Sequence, residues 1–305
     1  MDKLFQKFYR TFYMKTGGFM PTQPAGQLFF PGDFFQIRNG NIIVLGNIFR
    51  GGLVNREDVV FKYGISQNPA GWQFSENVKK ANSGRMMGEG AAGNDFEYSK
   101  LLLSFDEYGA FIFKGNQPTA VKIMNWVDLQ QQLIIKLTQT VYSFRELYLV
   151  TETATTSDWT LAIGGSNSGE LEIATDVQNY GLVDIFGHES AKTIQSKDIE
   201  YYHREDKPKP VFFKAKKLQV QDDQVHPFIS SLISERQGRP GWATDFFEYD
   251  FFMDIDNSVE IPFTEHAILL DMLQANELNP NTALLYFKWG DANLEDLNKL
   301  FLNYG

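Results

Sequence analysis

Asp158-Trp159-Thr160-Leu161-Ala162-Ile163-Gly164-Gly165-Ser166-Asn167-Ser168-Gly169-Glu170-Leu171-Glu172-Ile173-Ala174-Thr175 is the stretch on which the fold turns. Trp159, Leu161 and Ile163 alternate with Asp158, Thr160 and Ala162. After a Gly/Ser/Asn run, Leu171, Ile173 and Thr175 alternate with Glu170, Glu172 and Asp176. Side chains of a strand switch faces at each residue, so each arm has one apolar and one polar face. The run Gly164 to Gly169 has the wrong spacing and flanks for a nucleophile elbow and reads as a hairpin connection. Two roles suit the pair. It covers a core on one side and meets water on the other, or it lines a membrane barrel, with lipid outside and a wet lumen inside.

Outward from this hairpin, strand-like runs recur at Leu147–Thr153, Leu182–Phe186, Ile199–His203 and Val211–Val220. Nearer the N-terminus they fall at 34–38, 42–45, 57–63, Glu97–Phe105 and Ala110–Lys114. Asn39-Gly40, between the first two of these, is a strong hairpin signal because both turn residues take positive φ. The stretch Ser66–Asn94 is polar and glycine-rich and reads as a long loop. Ile123, Trp126, Val127, Ile134 and Leu137 mark an amphipathic helix over about 122–139. Phe5, Phe8 and Phe12 recur at helical spacing among Lys3, Lys7, Arg10 and Lys15, predicting a short helix over 2–15. That helix suits an anionic membrane surface, or a place on a sheet with its charges in water. Past Val220, helices fit Pro227–Ser234, His266–Ala275 and Leu294–Leu302, with a strand-like run at Ala283–Trp289. Ser234 to Gly241 reads as an exposed linker. The fold class expected is α+β: a twisted, mainly antiparallel sheet with peripheral helices, plus a small acidic helical C-terminal unit.

Charge divides the chain in the same place. Residues 221–305 hold 15 acids and 4 bases, and residues 1–220 hold 23 acids and 24 bases, within a net charge of −10. An acidic tail repels nucleic acid, and the near-neutral body has no dense basic cluster, so no nucleic-acid partner is expected. With 43% hydrophobic and 22% charged residues a packed core is feasible. No run of about 18 apolar residues marks a membrane-spanning helix, and the N-terminus lacks the pattern of a secretory signal.

Catalytic signatures are missing. Zero cysteines exclude thiolate metal sites, disulfides and a cysteine nucleophile. Gly88, Gly90 and Gly93 are spaced as in a dinucleotide loop, but a polar loop precedes them and a strand follows, where a helix is needed. His188, His203, His226 and His266 form no metal-ligand motif, and Asp254 and Asp256 lie in no ordered calcium loop. No enzyme activity, cofactor or metal is expected.

Glu146-Leu147-Tyr148-Leu149-Val150-Thr151-Glu152 resembles a strand of gasdermin pore-forming domains that reads roughly Glu-x-Tyr-Val-Val-Thr-Glu. Val211-Phe212-Phe213-Lys214-Ala215-Lys216-Lys217-Leu218 is similar to their closing strand, and a hairpin fills the interval in both. The resemblance implies a pore-forming domain over 1–220 and an acidic autoinhibitory segment over 221–305. It implies an inactive cytoplasmic form, released when a protease cuts the linker. The freed domain then binds anionic lipid at the cell membrane, forms a homo-oligomer and opens a β-barrel pore that kills the cell, as in antiviral defence. The residues this assigns are Lys3, Phe5, Lys7, Phe8, Arg10 and Phe12 for membrane binding. Trp159, Leu161, Ile163, Leu171 and Ile173 fall in a membrane hairpin, and Arg236 and Arg239 in the cleaved linker. The acylated N-terminal cysteine of bacterial members has no counterpart. The alternative is a non-enzymatic β-rich binding or assembly module of phage or secretion-system type.

Overall fold

A computed structural model describes residues 3–22, 27–38, 40–89, 95–139, 147–175, 185–186, 191–221, 223, 227 and 280–301. The expected helices at Pro227–Ser234 and His266–Ala275, the linker with Arg236 and Arg239, and most of 182–186 lie outside the described residues. What is described is α+β with antiparallel pairing throughout.

The chain opens with a 3-10 turn, Lys3–Phe5, and helix α1, Gln6–Thr16. Gly17 ends α1 in the left-handed region (φ 69°), its N–H bonding to the Tyr13 carbonyl, a conformation only glycine takes without strain. Next come β1 (Met20–Pro21) and the hairpin of β2 (Asp33–Arg38) and β3 (Asn41–Asn47). Arg38 pairs with Asn41, and Gly40 between them has φ 70°.

Several expectations need correction. Residues 56–58 form a 3-10 turn, and strand β4 begins later, at Phe61–Ser66. The described residues of the stretch Ser66–Asn94, expected as a loop, carry β5 (Trp72–Glu76) and β6 (Val78–Glu89). Its residues have little apolar pattern of their own, and the strands exist because each pairs along its length with a neighbour. The region 122–139 divides into β9 (Thr119–Ile123) and α2 (Trp126–Leu137). Residues 283–289 are likewise split, between the end of helix α3 (Pro280–Tyr286) and the start of β16 (Phe287–Asp291).

The remaining elements are β7 (Asp95–Phe105), β8 (Phe111–Gly115), β10 (Leu147–Thr155), β11 (Trp159–Gly164) and β12 (Gly169–Thr175). After them come β13 (Lys192–Lys197), β14 (Ile199–Glu205), β15 (Phe212–Val220), α4 (Leu294–Asn298) and a last 3-10 turn, Lys299–Phe301. β10 and β15, which contain the two motif segments, are neighbours at the centre of an eight-stranded sheet. The outer edge of β15 is shared by β1 at Phe212–Phe213 and by β16 at Lys216–Val220. The C-terminal part of the chain thus supplies a strand of the main sheet.

The other eight strands make two four-stranded sheets, β14-β11-β8-β5 and β13-β12-β7-β6. β11 and β12 are not the hairpin their sequence predicts: they lie in different sheets and pair with other strands, because the chain runs on through Gly165–Ser168 without turning back to pair with itself. Nor is β11 the half-wet strand its pattern predicts. Thr160 (1% exposed) and Ala162 (0%) are as buried as Leu161 and Ile163. Leu161 and Ile163 join the core under α1, whereas Ala162 and Ile112 pack with Leu103, Leu171 and Ile173 of the other four-stranded sheet. β12 keeps the expected alternation, with Leu171 and Ile173 buried and Glu170 exposed.

Candidate functional site: a crease across four strands

The two four-stranded sheets have the same strand order because they are made by the same four lengths of chain. β5 continues into β6, β7 into β8, β11 into β12, and β13 into β14. Each breaks at one level: at Asn77, at Asp106–Gly109, at Gly165–Ser168 and at Asp198. These breaks form a crease about which one sheet folds back on the other, enclosing the cluster of Ala162, Ile112, Leu103, Leu171 and Ile173. Backbone bonds stitch the crease from strand to strand. The N–H of Asp106 donates to Asn77 O (3.0 Å), that of Gly109 to Gly164 O (2.9 Å) and that of Gly165 to Asp198 O (2.9 Å). Asn77 (φ 55°) and Asp198 (φ 51°) hold positive φ, which Asn and Asp tolerate better than other side chains. Around the second loop, the Cβ of a residue at Gly164 would lie 2.7 Å from Phe105 Cβ, so the crease closes tightly there.

α1 lies against this crease. The predicted aromatic residues of α1 and of the 3-10 turn before it are buried: Phe12 is 0%, Phe8 3% and Phe5 9% exposed. Phe8 meets Phe111 and Phe113 at 5.4 Å between ring centres, and Phe12 stacks on Phe212 at 4.8 Å. Phe5 meets Tyr201 of β14 at 5.1 Å. Tyr9, wholly buried, donates to Thr22 O (2.8 Å), and burial raises its phenol pKa well above the ordinary value. Burial also pushes the Tyr201 phenol up, to about 12. A cavity of about 310 Å³ remains between α1 and β11–β14, lined by Phe5, Phe8, Tyr9, Leu161 and Tyr201 among others. Lys3 and Arg10 are exposed. Lys7 is committed to the crease: Nζ lies 2.5 Å from Glu107 Oε1 and donates to Tyr108 O (3.3 Å), while Glu107 also accepts from Asn77 Nδ2. Thr11 Oγ1 donates to Glu76 Oε2 (2.7 Å), at the end of β5.

The C-terminal residues hold α1 in turn. Phe301 packs edge-on against Tyr9 (5.3 Å), and Tyr13 Oη donates to Ala292 O (3.1 Å). Asp296, 2% exposed, sits in the first turn of α4, in a capping box with Asn293. Its Oδ1 accepts from Lys217 Nζ (2.6 Å) and Tyr148 Oη (2.7 Å), its Oδ2 from Asn293 N (3.0 Å). Burial raises its pKa, but the Lys217 charge and the bonds from Lys217, Asn293 and Tyr148 outweigh burial and hold the carboxyl below its usual range.

No protein-family model and no curated protein matches the chain. It is similar in structure to a bacterial gasdermin from Bradyrhizobium tropiciagri. The two share 8% identity over 69% of this chain and 85% of that one, with a TM-score of 0.29. A superposition that loose carries no argument about function, and the functional reading rests on this chain's own geometry.

Of the residues that sequence reasoning assigned to membrane binding and to a membrane hairpin, Phe5, Phe8 and Phe12 share one core with Leu161 and Ile163, and Leu171 and Ile173 lie in another. Sequence reasoning missed the crease residues Asn77, Glu107 and Asp198, and the latch residues Tyr13, Asp296 and Phe301. One signal was available: Asn293-x-x-Asp296 ahead of Leu297 is a helix-start pattern. No helix among the described residues is long and apolar enough to cross a membrane, which says nothing of strands.

Proposed function

We propose that this chain is an autoinhibited, non-enzymatic pore-forming protein. A protease cut in the linker containing Arg236 and Arg239 loosens the C-terminal segment, α1 leaves the crease, and the two creased hairpins straighten into the strands of an oligomeric β-barrel in an anionic membrane. The observation that carries the reading is the crease itself, crossed by four strands in one order and held by a helix that the C-terminal residues hold.

Straightening has a definite physical consequence. Trp159, Leu161, Ile163, Leu171 and Ile173 are separated by even numbers of residues, so in one straight strand they share a face. In the creased form they are divided between two cores. The opposite face of the straight strand carries Thr160, Ser166, Ser168, Glu170 and Glu172, as a barrel wall with one lipid side and one wet side requires. Trp159 to Thr175 spans about 55 Å at about 3.3 Å per residue, enough to cross a hydrocarbon core of about 30 Å even when tilted. Leaving the crease frees Lys7 from Glu107, and with Lys3 and Arg10 it meets anionic headgroups. Cutting the linker acts by removing the high effective concentration of the tethered segment.

The test uses the full chain with a site-specific protease sequence inserted between Arg239 and Pro240. Dye release is followed from vesicles of phosphatidylethanolamine and phosphatidylglycerol. Release is expected only after cutting. A cut chain that stays monodisperse and silent replaces the proposal with the binding-module reading.

A further inference from the structure

The pairing on the two sides of the crease differs between inner and outer strands. Consider first the inner pair, the β7–β8 length against the β11–β12 length. Ile163 pairs with Phe111 on one side of the crease, and Gly169 with Phe105 on the other. That is six residues forward on one strand and six back on its partner. The loops Asp106–Gly109 and Gly165–Ser168 are insertions that match, and the ladder would run through them unbroken. One bond of its first step beyond β8 is already present: the Gly164 N–H donates to Ala110 O (2.9 Å), while Gly164 O accepts from Gly109 N (2.9 Å) where the straight ladder would use Ala110 N.

The outer strands are built otherwise. Glu76 pairs with Phe111 and Val78 with Phe105, two residues forward against six back. On the other flank Gly164 pairs with Ile199 and Glu170 with Lys197, six against two. Asn77 and Asp198 cross the crease as single residues at positive φ, opposite inner loops of four. Neither outer register can be continuous through a straight sheet.

We infer that, on opening, the inner two strands straighten with their register unchanged, so that Asp106–Gly109 and Gly165–Ser168 become paired barrel wall, Tyr108 opposite Ser166. The outer strands re-register against this fixed central pair. This rests on the pore reading. The physical reason is that a register slip on an amphipathic strand exchanges its faces or breaks its ladder, and only the inner pair escapes both. In the creased form each inner loop is instead engaged with its own outer neighbour. Asp106 N bonds Asn77 O and the Glu107 carboxylate accepts from Asn77, while Gly165 N bonds Asp198 O and Ser166 and Ser168 lie 3.3 and 3.2 Å from the Asp198 carboxylate. Those contacts must exchange for inner–inner pairing.

The absence of cysteine makes the test direct. Four full chains carry the inserted protease sequence: the cysteine-free parent, Ser104→Cys with Glu170→Cys, Tyr108→Cys with Ser166→Cys, and Tyr108→Cys with Ser168→Cys. Facing residues of an antiparallel ladder, about 4.5–5.5 Å apart at Cα, lie within disulfide reach. Ser104 and Glu170 are paired already. A disulfide formed there with copper-phenanthroline before cutting should leave dye release from phosphatidylethanolamine–phosphatidylglycerol vesicles within about twofold of the parent, since a kept register needs no slip. The Tyr108–Ser166 pair should cross-link only after cutting in the presence of vesicles. The inference is overturned if the parent releases dye but the Ser104–Glu170 lock stops release until reductant is added. It is equally overturned if Tyr108→Cys cross-links to Ser168→Cys in place of the Ser166 pair. A cut parent that releases no dye overturns the pore reading itself, and this inference with it.

Discussion

Asp296 shows how one carboxylate ties the end of the chain to the main sheet. Its partners Lys217 and Tyr148 come from β15 and β10, so the bond network closes only when the C-terminal residues are seated. The folded pKa lies below the ordinary value. The stabilisation is therefore complete above the unfolded value of about 3.9 and is lost as pH falls through the lowered folded value. Asp296→Asn should cost about 1.5–3 kcal/mol at pH 7, the range for hydrogen bonds to a charged group. In urea unfolding, the gap between parent and variant should close as the pH is taken below that of the free carboxyl. A gap that persists at low pH would mean that packing of α4, not the ionised carboxylate, makes the link.

At the scale of the element, the crease depends on backbone conformations that most residues resist. Asn77 and Asp198 sit at φ 55° and 51°, where a β-branched side chain adds strain of about 1–3 kcal/mol. The straight strand imposes no such strain. Asn77→Val should therefore weaken the creased form alone, and after linker cutting its dye release in a stopped-flow trace should be roughly tenfold faster, the equivalent of about 1.4 kcal/mol. Asn77→Gly suits positive φ and removes the same bond to Glu107, so it separates the two contributions. If glycine and valine accelerate release equally, the side-chain bond and not the backbone holds the crease.

Across the whole molecule, restraint passes along a chain of contacts: Phe301 and Ala292 on Tyr9 and Tyr13, then Lys7 and Thr11 on Glu107 and Glu76. β16 adds five pairs to the edge of β15, Lys216↔Asp291 through Val220↔Phe287. Phe301 is 3% exposed, and a charge in its place is buried without a partner. Phe301→Asp should release dye from the same vesicles without any cut, while the parent stays silent until cut. A silent uncut variant with normal release after cutting would show that β16, and not the contact with α1, is the restraint that counts.

Read alone, the sequence determined the α+β class, the antiparallel hairpin at 34–45, the two strands within 159–175 though not their pairing, the aromatic face of α1 and the change of charge after Val220. These follow from local periodicity and composition, which the chain carries whatever its partners are. It did not reveal β5 and β6, whose residues have little pattern of their own and become strands only by pairing. Nor did it show that β11 is buried on both faces, since the second cover comes from a sheet folded back on it. The crease, the wedge of α1 and the seat of Asp296 were decided by tertiary structure, because each is a meeting of residues distant in the chain. Asn77 meets Glu107, Lys7 meets Tyr108 and Tyr148 meets Asp296. A one-dimensional pattern carries which face of a strand is apolar. It does not carry what that face will touch.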